Sequence, residues 1–148
     1  MTAEMHLGGC PCGCVRYEVA GAPKTTLYCH CKFCQARTGT THAQLVYFRK
    51  DAVISLTGQL TKKRHESDGG GRWVETESCE QCEASVTWTL ELVPSWRGFE
   101  ASTFDNNKSF PCHVHQWTDS ADPTTKINPA DIRFPKQAPF TTAQLEKL

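Results

Sequence analysis

The sequence predicts a mainly β protein of antiparallel sheets in which bound metal supplies part of the stability. Short β-rich runs recur between turn signals, and they are too closely spaced for βαβ units. Hydrophobic residues make up only 39% of the 148 residues, which is low for a tightly packed globule. The same chain carries nine cysteines, so metal ligation can supplement a modest apolar core.

The strand candidates are the runs rich in β-branched and aromatic residues. In chain order they cover residues 15–19, 43–48, 53–56, 72–76, 86–92 and 98–101. From Thr87 to Leu92 polar and apolar residues alternate, which predicts a strand with one face on the core and the other in water.

Helical signals are weak and come late in the chain. The Asn-Pro-Ala-Asp segment at residues 128–131 combines an N-cap, a proline at the first helical position and an acid in the first turn. It predicts one short turn of helix. Thr141 and Gln144 fit a capping box for a second short helix at the end of the sequence.

The length predicts a single domain over residues 1–148. Within it, Pro135 and Pro139 indicate that residues 128–148 form an extended arm around a core of about residues 8–127.

Charge and hydropathy limit the partners. The 16 basic and 16 acidic residues cancel, and a pI near 7.0 disfavours nucleic-acid binding. No stretch approaches the ~20 apolar residues that span a bilayer, and residues 1–9 lack the pattern of a signal peptide. We therefore expect a cytoplasmic protein without a membrane partner. In that reducing compartment, clustered cysteines are more often metal ligands or catalytic groups than disulfides.

Seven cysteines fall into three groups with the spacing of zinc ligands. They are Cys10 and Cys12 in a C-x-C motif, Cys29, Cys31 and Cys34 in a C-x-C-x-x-C motif, and Cys79 and Cys82 in a C-x-x-C motif. Thiolates at these spacings can share one tetrahedral ion, so the three motifs together favour zinc over incidental buried thiols.

Seven ligands cannot fill two four-ligand sites, so one site must lack a protein ligand. Cys29, Cys31 and Cys34 are close enough in sequence to bind one ion, and the two remaining pairs can then meet across the fold, although spacing alone does not force this grouping. A closed four-thiolate site is structural, whereas an open three-thiolate site keeps a position for a substrate. The prediction is two zinc ions per chain, one structural and one catalytic.

Cys14 and Cys112 lie outside these groups. Cys14 comes at the start of a predicted strand, so we expect a packed thiol. The Cys112-His113-Val114-His115 stretch has two interpretations. Either it supplies a fourth ligand to the open site, or, as we favour, one imidazole is buried and hydrogen-bonded while the other is solvated.

Several other polar and aromatic residues have two interpretations, one with a functional role and one with an ordinary structural or surface role. His30 either donates a hydrogen bond at the open site or, as we favour, points away. Lys32 and Arg37 either attract a carboxylate-bearing substrate or, as we favour, are plain surface charges. The basic run at residues 62–65 predicts a solvated hairpin end, and the four tryptophans are spaced as core or groove aromatics rather than as a base-stacking ladder.

These motifs in this order resemble the glutathione-dependent formaldehyde-activating enzyme family, which also includes centromere protein V. The residues that carry the resemblance are Gly8-Gly9-Cys10-Pro11-Cys12-Gly13-Cys14-Val15-Arg16-Tyr17, Cys29-His30-Cys31-Lys32-Phe33-Cys34 with Gly39, and Cys79-Glu80-Gln81-Cys82. The match covers about residues 8–92 and is looser over residues 111–127.

The resemblance implies a β-tent fold with two zinc ions and a carbon-sulfur lyase activity. In the family this activity condenses formaldehyde with glutathione to S-(hydroxymethyl)glutathione. Carried over residue by residue, the structural zinc is held by Cys10, Cys12, Cys79 and Cys82, and the catalytic zinc by Cys29, Cys31 and Cys34. Two residues depart from the family pattern, Cys14 and Glu83. Because Glu83 stands where glycine usually relieves a positive φ, it predicts a slightly different turn.

The leading hypothesis is a zinc enzyme in which the open site on Cys29, Cys31 and Cys34 holds a small thiol, such as glutathione, for attack on formaldehyde or a related small aldehyde. One alternative is a noncatalytic zinc-stabilised binding module of the same fold. Another is a methionine sulfoxide reductase of the B type with Cys112 as its redox thiol. The sequence predicts neither the residues that contact glutathione nor the oligomeric state.

Overall fold

The computed structural model describes residues 4–66, 72–106 and 110–138, and it confirms a mainly β fold. In these ranges the strands are β1 (Met5–Gly9), β2 (Arg16–Ala20), β3 (Thr25–Cys29), β4 (Ala43–Arg49), β5 (Val53–Thr57), β6 (Leu60–Glu66), β7 (Trp73–Cys79), β8 (Ser85–Leu90), β9 (Trp96–Glu100), β10 (Val114–Gln116) and β11 (Ile132–Arg133). One α-helix, α1 (Lys32–Thr38), follows β3 within the described part of the chain. Short 3₁₀ turns occur at Lys50–Ala52, Ala101–Thr103 and Thr118–Ser120.

The strands form two sheets. The smaller sheet has the antiparallel order β1-β2-β5, and the larger has the order β11-β10-β3-β4-β9-β8-β7-β6. Most neighbours in the larger sheet are antiparallel, but β10 runs parallel to both β3 and β11. The antiparallel pairing predicted from sequence is confirmed for most of the larger sheet, and this edge departs from it because long connections rather than hairpins bring β10 and β11 to β3.

The larger sheet carries a core on each face. On β4, Val46 and Phe48 pack into a cluster with Tyr17 of the smaller sheet. The alternate residues Leu45 and Tyr47 pack into a second cluster on the opposite face. Because side chains alternate along a strand, the central strands are covered on both sides. The second cluster also contains Cys29, Cys31 and Cys34, so this face positions the three-cysteine motif.

The six predicted strand runs coincide with β2, β4, β5, β7, β8 and β9, with boundaries that differ by up to three residues. The prediction of a water-facing side for residues 87–92 holds at Glu91, which is exposed, and is wrong at the two threonines. Thr87 and Thr89 of β8 are both buried, and the Thr87 hydroxyl donates to the Gly98 carbonyl at 2.6 Å. Both threonines are therefore internal polar residues, and the Thr87 hydroxyl has a partner on the neighbouring strand β9.

The late helix predicted at residues 128–131 is a turn. Asp131 N–H donates to the Asn128 carbonyl, and Ala130 N–H donates to Asn128 Oδ1, each at 3.0 Å. The asparagine side chain therefore closes a turn instead of capping a helix. The second helical prediction, at Thr141 and Gln144, lies outside the described residues.

The described part of the arm, to Ala138, lies along β10 and the turn that follows it. Trp117 N–H donates to the Lys136 carbonyl at 3.0 Å, and Thr118 N–H donates to the Phe134 carbonyl at 3.1 Å. In the ranges that the structure describes, no helix has both the length and the apolar character needed to cross a membrane.

Candidate metal centre

The first cysteine cluster joins the two sheets. Cys10 and Cys12 lie in the turn after β1 of the smaller sheet, while Cys79 ends β7 of the larger sheet and Cys82 follows it. The four sulfurs all lie within 4.8 Å of one another. Cys12 Sγ is 3.4 Å from Cys10 Sγ and 3.7 Å from Cys79 Sγ. The fold thus brings together the two pairs whose grouping spacing alone left open.

The second cluster is local, and it forms where β3 ends and α1 begins. Cys29 is the last residue of β3, Cys31 is the N-cap of α1, and Cys34 lies in the first turn of the helix. The Cys31 sulfur accepts a hydrogen bond from Cys34 N–H at 3.3 Å, in the manner of a capping side chain. Gly39 ends the helix at φ 67°, a left-handed conformation that glycine adopts without strain.

The donor sets fit tetrahedral zinc. A Zn–S distance of about 2.3 Å gives sulfur–sulfur edges of about 3.8 Å. Three of the edges are 3.3 Å between Cys29 and Cys31, 3.4 Å between Cys10 and Cys12 and 3.7 Å between Cys12 and Cys79, and all sulfurs within a cluster lie within 4.8 Å of one another. Those separations exceed the roughly 2.05 Å of a disulfide bond. One set offers four sulfurs and the other three, so the second would leave one ligand position for another group.

Hydrogen bonds within the three-cysteine cluster shift the pKa values of its thiols in opposite directions. Hydrogen bonds from Cys29 and then Cys34 lower the pKa of Cys31 to about 3, and the bond to Cys31 raises the pKa of Cys29. Three thiolates confined within 4.8 Å repel one another strongly. Complete ionisation of the cluster therefore requires a cation, which is the chemistry of a metal site.

Arg37 reaches this cluster from the last turn of α1. Its Nη2 atom is 3.8 Å from Cys34 Sγ and forms an ion pair with Glu100 at 2.7 Å. The two side chains are only 7% and 9% exposed, so the prediction of a plain surface charge at Arg37 is wrong. Ser85 Oγ accepts from Arg37 Nη1 at 3.1 Å. By contrast, Lys32 is exposed, as a plain surface charge would be.

A cavity of about 210 Å³ lies directly beside the three cysteines, and all three contribute to its lining. Its walls come from α1, from the second core cluster and from the turn after β10. Of the four tryptophans, Trp88 and Trp96 are buried, while Trp73 and Trp117 are half-buried in the cavity wall. The prediction that the tryptophans serve as core or groove aromatics is therefore confirmed.

The histidines flanking the cysteine motifs form a hydrogen-bonded chain of their own. His115 Nε2 donates to Asp131 Oδ2 at 2.8 Å, while His115 Nδ1 lies 2.9 Å from His30 Nε2. Because the carboxylate needs a proton on His115 Nε2, the neutral pair takes its shared proton from His30 Nε2. His30 is fully buried, and its Nδ1 has no hydrogen-bond partner.

The hydrogen bonds that link His30, His115 and Asp131 decide between the two interpretations of the histidines. His115 is buried and hydrogen-bonded, and His113 is exposed with its Nδ1 3.4 Å from Asp131 Oδ1. Neither belongs to a metal-competent cluster in the described residues, so the favoured interpretation is confirmed. His30 turns toward His115 and does not line the cavity, as its favoured interpretation predicted.

Two sequence expectations near the four-cysteine cluster are wrong. Cys14 is exposed and not packed, because β2 begins only at Arg16 and the preceding turn is open to water. Glu83 adopts φ 63°, so it keeps the positive φ of the turn that was expected to change. In the same turn, Glu83 N–H donates to the Cys79 carbonyl at 2.9 Å.

The basic run at residues 62–65 lies within β6, and Lys62, Lys63 and Arg64 are exposed as predicted. The hairpin end after Glu66 lies outside the described residues. His65 instead stacks on Phe33 with ring centroids 3.9 Å apart, and both line the cavity.

Two polar partners in this region were missed by sequence reasoning, Glu100 and Asp131. Neither lies in a cysteine motif. Each becomes important only because the fold brings it to Arg37 or His115 from a distant part of the chain.

Comparison with known proteins gives a family and a related fold. The sequence model of a family described as "Glutathione-dependent formaldehyde-activating enzyme" matches residues 5–120. A solved structure of a Rhodobacter sphaeroides protein, a structural-genomics target, has a TM-score of 0.54 and 17% identity over 86% of this chain and 98% of that chain. At that identity the likeness concerns the fold alone. No curated protein matches the sequence.

Proposed function

The chain belongs to the glutathione-dependent formaldehyde-activating enzyme family, and we propose that it is a zinc-dependent carbon-sulfur lyase that adds a thiol to formaldehyde or a related small aldehyde. The three-cysteine cluster with the cavity beside it carries this proposal. A purely structural ion would be served by four protein ligands, whereas this cluster has three and borders a space large enough for a small substrate.

In this proposal Cys29, Cys31 and Cys34 hold the catalytic zinc, and Cys10, Cys12, Cys79 and Cys82 hold a structural zinc. When bound at the open site, the catalytic ion would supply positive charge that lowers the pKa of a substrate thiol. The thiol sulfur then forms the new bond to the carbonyl carbon as the C=O π bond opens. The thiol proton leaves to solvent, and an equivalent proton returns to the new hydroxyl group.

The chain's own residues prepare the site electrostatically and exclude water. Arg37 partly offsets the thiolate charge through its approach to Cys34, and its own charge is balanced by Glu100. The aromatic walls limit water around the reacting groups, which strengthens these interactions. No separate strong base is required, because the thiol ionises before it attacks.

The test compares the exchange of formaldehyde with glutathione, followed by exchange NMR, in the presence and absence of zinc-loaded protein. Cys31→Ser should lose one zinc and the catalysed exchange while far-UV circular dichroism stays unchanged. Cys112→Ser is the matched control, because that thiol is buried outside both clusters and its pKa is raised by burial. Retained catalysis in Cys31→Ser would contradict the proposal.

The two alternatives make different predictions in the same experiment. A noncatalytic module would bind zinc without accelerating exchange, and its three-cysteine cluster would be alkylated freely if it bound only one ion. A reductase would lose sulfoxide reduction in Cys112→Ser. The Cys112 thiol donates to the Val114 carbonyl at 3.7 Å and is largely shielded from solvent, which is unfavourable for a reactive thiolate.

A further inference from the structure

The walls of the cavity beside the three cysteines are mainly apolar. They include the side chains of Phe33, Leu45, Trp73, Trp88, Leu90 and Trp117. A substrate whose sulfur reaches the cysteine cluster must place the rest of its body against these walls. At about 210 Å³ the cavity is smaller than the ~300–1,000 Å³ of sites for drug-sized ligands. It therefore suits a compact body of about one ring.

Two polar oxygen atoms that line the cavity already accept hydrogen bonds within the protein. The side chain of Gln116 accepts from Gln137 Nε2 at 3.1 Å and from Ala138 N–H at 3.2 Å. Tyr47 Oη accepts from Trp88 Nε1 at 3.1 Å. A substrate group that donates to these two oxygens would have to compete with these bonds, whereas an apolar substrate leaves them intact.

The inner charges also leave no positive surplus before any substrate enters. The Arg37 guanidinium is offset by Glu100, and three thiolates with one divalent ion retain one negative charge. At the rim, the exposed residues Glu66 and Arg72 carry opposite charges. Among the described residues, the cavity therefore offers no surplus of positive charge for a substrate with several carboxylates.

We propose that the thiol substrate of this site has a compact apolar or aromatic body, and that the cavity discriminates against anionic thiols. This inference rests on the proposed function, because it assumes that a substrate sulfur reaches the three-cysteine cluster. It concerns the body of the thiol and not the addition step. The aromatic walls supply contact area, and the local negative charge disfavours additional carboxylates.

The test measures equilibrium binding to the zinc-loaded full chain through quenching of tryptophan fluorescence. The probes are 2-phenylethanethiol, 2-mercaptoethanesulfonate and glutathione. We expect 2-phenylethanethiol to bind at least about tenfold more tightly than either anionic thiol, in line with the discrimination that a small apolar group provides in a fitted pocket. Equal or tighter binding of glutathione or the sulfonate would overturn the inference while leaving the proposed function standing.

Variants then assign the selectivity to the cavity wall. Trp117→Ala should reduce the preference for 2-phenylethanethiol, and Trp117→Phe should restore most of it. Ile54→Ala is the control, since Ile54 is an exposed apolar residue outside the cavity. An unchanged preference in Trp117→Ala, with zinc content and circular dichroism preserved, would refute the assignment to this wall. Failure of all three thiols to bind would overturn the proposed function together with the inference.

Discussion

Arg37 and Glu100 form a buried ion pair beside the cavity. Both side chains are less than 10% exposed, and their charged atoms lie 2.7 Å apart. Arg37 also lies over the Trp88 ring, 4.7 Å from its centroid. We predict that Glu100→Leu costs about 3–5 kcal/mol of unfolding free energy, because it leaves a buried guanidinium without its carboxylate partner.

The two single variants should differ. Arginine keeps its charge under all ordinary conditions, so Glu100→Leu cannot be relieved by a proton. Burial raises the pKa of Glu100 even in the presence of Arg37, so Arg37→Met can be relieved by protonation of Glu100. A raised carboxyl pKa stabilises the fold below the unfolded pKa and loses that contribution as pH rises. Arg37→Met should therefore lose stability from acid to neutral pH.

The assay is urea unfolding at fixed excess zinc, because zinc bound at the proposed sites would contribute to apparent stability. Replacing both residues, Arg37→Met with Glu100→Leu, removes the unpaired charge and should recover at least about 2 kcal/mol relative to the sum of the single effects. A Glu100→Leu loss below about 1 kcal/mol, or additive effects in the double variant, would refute this account of the pair.

Three further predictions concern the backbone and a buried imidazole. Gly98→Ala should cost about 1–3 kcal/mol in urea unfolding, because the added Cβ would clash with the Trp88 indole ring. Glu83→Gly should stabilise by about 0.5–1 kcal/mol by relieving φ 63°, whereas Glu80→Gly should not; a loss in Glu83→Gly would contradict the strain argument. Burial, and then the charges of His42 and His115, lower the pKa of His30 from 6.5 to about 4. The contribution of neutral His30 to the free energy of unfolding is therefore complete above pH 6.5 and is lost as the pH falls toward 4. In His30→Gln, the number of protons taken up on unfolding between pH 6.5 and 4, read from the slope of unfolding free energy against pH, should fall by about one. An unchanged slope would exclude His30 as its source.

The strands that sequence predicted are those whose own residues favour an extended, half-buried chain. Those missed depend on partners elsewhere. Residues 60–66 form β6 despite a run of charges, because every residue of β6 pairs with β7. Val114–Gln116 and Ile132–Arg133 are too short to give a periodic signal, and they become strands through parallel pairing at the edge of the larger sheet. Pairing partners of this kind are not encoded locally.

The helix α1 was missed for a related reason. Its N-cap is a cysteine, which is outside the usual capping residues, and only seven residues follow. The sulfur of Cys31 caps the helix and also belongs to the three-cysteine cluster, so the helix start and the candidate metal site depend on each other. Gly39 was the local signal that could have predicted the helix end, since glycine is the preferred left-handed residue after a helix.

The two cysteine clusters differ in what cross-linking them can contribute to stability. Cys12 and Cys79 are 67 residues apart, so an ion in the first cluster closes a long loop and joins the two sheets. Loop-closure entropy makes such a link strongly stabilising, at roughly 4 kcal/mol by analogy with a disulfide across a similar loop. The second cluster lies within residues 29–34, where a cross-link constrains almost nothing that β3 and α1 do not already fix. A stabilising ion would therefore account for the first cluster but not for the second, whose three ionisable sulfurs at a cavity wall are accounted for by the proposed substrate binding.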